Sequence, residues 1–258
     1  MSRYGCLPDI KDHNDRPFTM TASQTQTYAL LLPPVMDLRP WCPPVMNQVS
    51  LGSCTAHGVT AALRFNLINN GQPDIPLSRL QLYYDSRASE GTTASDAGAQ
   101  IRNVIKTAAA KGVGKEELWS YDLTKWAVPP PPEVYTDAVN HEAIEYSRVE
   151  VSAHGLKLAL FTGRPVVIGI TVHASFESDQ VATTGVVPMP GPGENVIAGH
   201  CMLVAGYGQM PGYFTVLNSW GEGWGDKGYC YIPEAYLGSA KYGSDYWSIY
   251  STTGANPP

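Results

Sequence analysis

The chain has 258 residues, enough for one large domain or two modest ones, each able to bury a core. Apolar residues make up 43% and charged residues 16%, which excludes disorder; a net charge of −6 without any Lys/Arg block argues against a nucleic-acid surface. No apolar run reaches membrane-spanning length, and the longest, such as 165–172, suits a buried strand.

The N-terminus lacks the apolar core of a secretory signal, which leaves secreted and cytoplasmic locations both open. Residues 1–32 are polar and poorly periodic and read as an extended segment docked on the rest. Pro33, Pro34, Pro40, Pro43 and Pro44 punctuate the next stretch of chain. From Ser53 to Asn70 the pattern turns helical: Ala56, Val59, Ala62, Leu63 and Leu67 cover most sides, so this helix is expected to be central and buried. Asn69-Asn70-Gly71 stops it. Two further helices are expected near 78–89 and 99–111, the second ending at Gly112. Pro129 to Pro132 marks a crossing between halves. Strand patterns then dominate at 143–151, 165–173, 200–207, 213–218 and 228–232, with a short helix at 153–162. The expected architecture is α+β with two lobes: an extension over 1–32, a mainly helical lobe over 33–128 and a mainly β lobe over 129–258.

Five cysteines fall at 6, 42, 54, 201 and 230. No CxxC pair exists, and the single CxxH of Cys54 and His57 has no second half at zinc-ligand spacing, so no metal or other cofactor is expected. Cys6 and Cys42 are a candidate pair for pinning the N-terminal segment.

Cys54 carries the chemistry. Gly52-Ser53-Cys54 opens the central helix, with Ser53 as the expected N-cap, and a thiolate is favoured in the first turn by the helix dipole. On its own, a cysteine there is more often a small core residue. Three other features point to chemistry. Gln48, just upstream, offers an amide that joins the Cys54 N–H as an oxyanion hole. His200 heads an apolar strand that can hold it rigidly. Asn218, in Leu217-Asn218-Ser219-Trp220-Gly221-Glu222-Gly223-Trp224-Gly225, offers an amide to orient the imidazole and rings to exclude water. His57, on the same helix as Cys54, is a rival base without such an amide.

These residues resemble the papain family of cysteine peptidases over roughly 33–250. The resemblance rests on Asn47-Gln48 ahead of the Cys helix, on His200 leading into Gly206-Tyr207-Gly208, and on Asn-Ser-Trp-Gly-x-Gly-Trp-Gly followed by Lys227-Gly228-Tyr229. The order Gln, Cys, His, Asn matches. The Cys-to-His spacing falls inside the papain-type range of about 130–150 residues, and the Asn lies slightly beyond it. The resemblance implies a papain-like two-lobed fold, with a helical left lobe, a β-barrel-like right lobe and the active-site cleft between them. It implies a cysteine endopeptidase acting through a thioester acyl-enzyme. Cys54 is then the nucleophile, His200 the acid–base partner, Asn218 its orienting amide and Gln48 the oxyanion donor. Gly98, Ala99, Gly199 and Trp220 would bind substrate or shield the His–Asn bond.

The sequence departs from the family pattern at Leu51, where a disulfide cysteine is usual, at Thr55 in place of an aromatic, at Val49-Ser50 after Gln48, and at Gly199 in place of Asn or Asp. These departures suggest a divergent, bacterial-type member. Residues 1–32 are too short for a usual propeptide. They either lie across the cleft and limit access, or form a strap over the β lobe. The expected partner is a peptide or protein substrate, with no nucleic acid and no membrane insertion, and the chain is expected to be a monomer. Two alternatives stay open: a catalytically silent papain-like peptide-binding module, and an amidase or acyl transferase acting on cell-wall or isopeptide substrates.

Overall fold

The computed structural model describes residues 4–31 and 33–253. The two ends of the 1–32 segment and the last five residues of the 129–258 lobe therefore lie outside the described residues. In chain order the elements are β1 (Cys6–Leu7), α1 (Ala22–Leu31), β2 (Met36–Asp37), α2 (Cys54–Asn69), α3 (Arg79–Glu90), β3 (Ala99–Gln100), α4 (Ile101–Lys111), α5 (Pro132–Ala138), β4 (Ala143–Arg148), α6 (Ala153–Phe161), β5 (Val166–His173), α7 (Asp179–Thr184), β6 (Val196–Tyr207), β7 (Tyr213–Leu217), β8 (Tyr229–Pro233), α8 (Glu234–Leu237) and β9 (Gly243–Thr252). Helices dominate the first half and strands the second, giving a mixed helix-and-sheet fold. No helix among the described residues is long and apolar enough to cross a membrane.

The helices begin where their sequences supply caps. The Ser78 hydroxyl accepts the Gln81 N–H at 3.1 Å to start α3, and the Ser152 hydroxyl accepts the Gly155 N–H at 2.9 Å to start α6. Gly91 ends α3 at φ +71, a conformation that favours glycine. The N-terminal segment is not wholly extended as its composition suggests. Thr21 and Gln24 form a reciprocal capping box: the Thr21 hydroxyl takes the Gln24 N–H at 3.2 Å, and the Gln24 side chain takes the Thr21 N–H at 2.9 Å. This cap starts α1, which packs on α6 through Tyr28, its ring 5.6 Å from His154 and 5.3 Å from Phe161.

The large sheet has seven strands in the order β4-β9-β5-β6-β7-β8, with β2 paired to β6. Its end strands β4 and β8 do not pair with each other, so the β-barrel-like description expected from the resemblance is loose: the sheet is not closed. The pattern of Val, Ile and Tyr located five of these strands. It missed β9, which lies between β4 and β5 and carries the buried Tyr246, Trp247 and Ile249. Strand β6 also starts at Val196, earlier than expected, where its residues are exposed.

Helix α2 joins the two halves. Leu63 packs in a cluster with Leu80 and Tyr83 of α3, Ile105 of α4, and Val167, Leu203 and Trp247 of the sheet. Phe65, two residues on, packs in a second cluster with Leu160, Ile168, Val204 and Val216. A helix buried on nearly every side is what its apolar residues predict, and each such side chain contributes about 1.5–3 kcal/mol of burial. Gly58 lets α2 approach β6 closely: a Cβ there would lie 2.9 Å from the Cys201 thiol sulfur.

Candidate active site

The sheet register brings the site residues together. In β6 and β7, Leu203 pairs with Leu217 in antiparallel fashion, so His200 and Asn218 fall at the same end of the pair. The His200 Nε2–H donates to the Asn218 Oδ1 at 2.8 Å, and the same oxygen accepts the Ser219 backbone N–H at 2.8 Å. The amide orientation is thereby fixed, and it leaves Nδ1 of the neutral imidazole as the basic nitrogen. Nδ1 has no hydrogen-bond partner among the described residues. The Trp220 ring lies 5.0 Å from the imidazole, tilted by 32°, and is held in place by Phe176 and Trp224.

Cys54 is the first residue of α2, where backbone N–H groups have no intrahelical acceptor. The backbone N–H groups of Cys201, the residue after His200, and of Gly5 and Thr55 act to lower the pKa of the Cys54 thiol. Ser53 holds the N-cap position but does not cap with its side chain. Its backbone angles, φ −99 and ψ 19, are not the extended ones a cap uses. The Ser53 hydroxyl instead shares a 2.5 Å hydrogen bond with the Tyr121 hydroxyl.

Gln48 is fully buried and fixed at both ends of its amide: Nε2 donates to the Leu51 carbonyl at 2.8 Å, and Oε1 accepts from the Ser219 hydroxyl at 2.6 Å. Backbone bonds dock the Gln48 loop beside Asn218. The Gln48 N–H donates to the Ser219 carbonyl at 2.8 Å, and the Tyr121 hydroxyl donates to the Gln48 carbonyl at 3.0 Å. Asp96 secures the other side by accepting the Gly52 N–H at 3.0 Å.

His57 is held away from this chemistry. Its Nδ1–H donates to the Ser53 carbonyl at 3.0 Å, and its Nε2 accepts from Arg79 at 3.0 Å. Burial and the Arg79 charge push its pKa down to about 3, so it is a neutral structural histidine.

The N-terminal segment runs through the space between the two halves. Strand β1 pairs in parallel with β3, Cys6 opposite Ala99 and Leu7 opposite Gln100. The Gly5 carbonyl accepts the Ala99 N–H at 2.9 Å. Bare backbone makes the slot. A Cβ on Gly98 would lie 2.3 Å from the Gly5 oxygen, and one on Gly199 would lie 2.2 Å from the Cys6 oxygen. Tyr4 closes the far end, its ring 5.5 Å from His200 and 5.8 Å from Trp220, with its hydroxyl donating to Glu177 at 2.6 Å. Composition alone does not reveal Tyr4, Gly5 and Cys6 as site residues. The signal is one glycine between two bulkier residues, which only makes sense against three glycines elsewhere in the chain.

All five cysteines are free thiols. The suggested Cys6–Cys42 bridge is absent: both are free thiols, Cys6 with Cys201 acting to raise its pKa and Cys42 contacting the Leu38 carbonyl at 3.6 Å. Burial, and then the neighbouring Cys6, push the Cys54 thiol up to about 12, and burial pushes His200 down to about 4. With the segment in place, both groups are neutral at pH 7. Among the described residues no cluster of His, Cys, Asp or Glu could hold a metal ion.

A family model described as papain family cysteine protease matches residues 32–246. The chain is 34% identical to a peptidase C1-like protein of Acanthamoeba polyphaga mimivirus, over 97% of this chain and 87% of that one. It is 30% identical to cathepsin 7 of Mus musculus over 82% of this chain, but spans only 65% of the cathepsin's length. Among solved structures, xylellain, a cysteine protease from Xylella fastidiosa, superposes with a TM-score of 0.88 at 34% identity, covering 97% of this chain and 96% of that one. The fold and the Cys-, His- and Asn-bearing elements thus define a papain-like cysteine peptidase, a hydrolase. The chain belongs to the papain family of cysteine proteases.

Proposed function

We propose that the chain is a latent endopeptidase that cleaves peptide bonds through a thioester on Cys54. The observation that carries this reading is the His200–Asn218 bond beneath Trp220, with Cys54 at the first position of the central helix. His200 Nδ1 is the nitrogen that takes the thiol proton, and the thiolate attacks the scissile carbonyl. Gln48 and the Cys54 N–H face the developing oxyanion, and the imidazolium then protonates the leaving amine. Water hydrolyses the thioester. Gly98, Ala99 and Gly199 offer backbone to the substrate, and Trp220 shields the His–Asn bond.

In this reading residues 4–9 occupy the cleft and hold the enzyme latent. His200 protonates the leaving half of a substrate, so that half lies by His200 and Trp220 and the acyl half lies along Ala99. A substrate therefore runs from Ala99 towards Trp220. The segment runs the opposite way, from Tyr4 at Trp220 to Cys6 at Ala99. A chain of reversed polarity fills the slot without presenting a correctly oriented scissile bond. Its burial of Cys54 and His200 also opposes the thiolate–imidazolium pair. The extension over 1–32, the helical lobe over 33–128 and the β lobe over 129–258 are the functional units of this proposal.

The test is hydrolysis of a fluorogenic dipeptidyl substrate by the full chain before and after the segment is cut free. Cutting should raise the rate, a peptidyl epoxide should label Cys54, and Cys54→Ala should abolish both. Wild type and Cys54→Ala behaving alike would rule out the peptidase reading; equal rates before and after cutting would rule out latency.

A further inference from the structure

Beyond Cys6 the segment carries three carboxylates, at Asp9, Asp12 and Asp15, and all three rest on cations. The fully buried Asp9 carboxylate accepts the Arg102 backbone N–H at 3.1 Å, the Trp247 indole N–H at 2.9 Å and Arg148 Nη1 at 3.1 Å. Asp15 takes Arg102 Nη1 at 3.0 Å and Arg148 Nη1 at 3.2 Å. Asp12 pairs with Lys106 at 3.2 Å. Arg102 also donates to the Ile10 carbonyl. The other end of Arg148 is on Asp245 at 2.6 Å, and Asp245 accepts the Asp9 N–H at 3.0 Å.

When the segment leaves, this face changes sign. Arg102 loses Asp15, Lys106 loses Asp12, and of the carboxylates named here Arg148 keeps Asp245. The Trp247 and Arg102 N–H groups lose the acceptor they converge on. What remains around the place the Asp9 carboxylate occupied is the Arg148 guanidinium, the Trp247 indole N–H, the Arg102 backbone N–H and the Asp245 carboxylate, with the Arg102 guanidinium and the Lys106 ammonium freed beside them where Asp15 and Asp12 lay. These groups lie on rigid elements, α4, β4 and β9, so the pocket persists without its occupant.

This patch continues the cleft on the acyl side. Gly5 lies against Gly52 at the start of the Cys54 helix, Cys6 opposite Ala99, and Asp9 at the Arg148 guanidinium. An extended chain advances roughly 3.3 Å per residue in either direction, so a substrate in the same slot brings about its fifth residue before the scissile bond to this place. We infer that the Arg148 guanidinium, with the Trp247 indole N–H and the Arg102 backbone N–H, forms a subsite for an acidic side chain at about the fourth or fifth residue before the scissile bond. The segment's Asp9 stands in for that side chain. This inference rests on the cleft reading proposed above.

The experiment uses the full chain with a recognition site for an unrelated protease inserted at Thr19–Met20, cut after folding. Three peptides share one scissile sequence and differ at the fourth and fifth positions upstream: Asp–Asp, Asn–Asn or Lys–Lys. The cut enzyme should hydrolyse the Asp–Asp peptide with kcat/KM about threefold to tenfold above the Asn–Asn peptide, and the Lys–Lys peptide more slowly still. Arg148→Gln should bring the Asp–Asp to Asn–Asn ratio towards one. Should that variant fold poorly, about 0.5 M salt on the unsubstituted enzyme should shrink the same ratio. Equal rates on Asp–Asp and Asn–Asn, in a cut enzyme active on the dipeptidyl substrate, overturn the subsite alone. Equal dipeptide rates before and after cutting overturn the cleft reading on which it rests.

Discussion

Gly5 meets Gly52 backbone to backbone: a Cβ on Gly5 would lie 1.8 Å from the Gly52 carbonyl oxygen. The obstacle is main chain at the start of the Cys helix, so it cannot yield as a flexible side chain would. A side chain at Gly5 must push the segment out. Overpacking of this kind costs about 1–3 kcal/mol, so Gly5→Val in the full chain should raise dipeptide hydrolysis by about fivefold to 150-fold. An unchanged rate in a folded variant would show that residues 4–9 do not gate the site.

The protonation states give a second expectation. Thiolates, not thiols, react with iodoacetamide. A thiol whose pKa is pushed up to about 12 stays protonated, and unreactive, until the pH approaches that value. Cys54 in the full chain should therefore alkylate barely at pH 7 and faster as the pH rises. In Gly5→Val, water re-enters and His200 can accept the proton, so alkylation should be rapid at neutral pH. Mass spectrometry of the Cys54 peptide reads the difference; the same rate at pH 7 in both proteins would contradict it.

Gln48 and Ser219 should differ in a graded way. In an enzyme freed of its segment, Gln48→Ala removes an oxyanion donor and should lower kcat by about 10²–10³. Ser219→Ala removes only the 2.6 Å bond that steadies the Gln48 amide, so a loss of about threefold to tenfold is expected. Both effects belong to the transition state, and KM should move little. A larger loss for Ser219→Ala than for Gln48→Ala would reverse the assignment.

Phe65 tests the helix that joins the halves. It is 1% exposed and packs against the sheet from α2. Phe65→Ala should lower unfolding free energy by about 3–5 kcal/mol in urea titrations. A loss below about 1 kcal/mol would mean that the cluster repacks freely around it.

The central helix and the strand carrying His200 were legible because their apolar periodicity is long and strong. Cys54, His200, Asn218 and Gln48 stand out as candidates in the sequence because their residue types and order form one chemical set. The elements that escaped did so for physical reasons. Helix α1 is polar over most of its length, and only its Thr21–Gln24 box betrays it. The Cys54 and His200 pKa values were not legible either, since they depend on which backbone covers the site. The course of Tyr4-Gly5-Cys6 through the slot depends on glycines at 52, 98 and 199, which lie far apart in sequence. No local pattern connects them.

The parallel pairing of β1 with β3 has a further consequence, because the strand belongs to the same chain as the cleft. Phe18 is tied to Arg148 by a 2.7 Å backbone bond, and α1 holds the chain just beyond. In the latent state proposed above, the segment is an intramolecular competitor, with an effective concentration on the order of millimolar or more. A micromolar peptide loses that competition even when it fits the slot better residue for residue. Latency then depends on connectivity more than on affinity, and with all five thiols free it needs no reductant to end it. A single hydrolysed bond between Leu7 and Thr21 would leave the cleft contacts of Tyr4, Gly5 and Cys6 in place and still turn the competitor into a solute that dilution carries away.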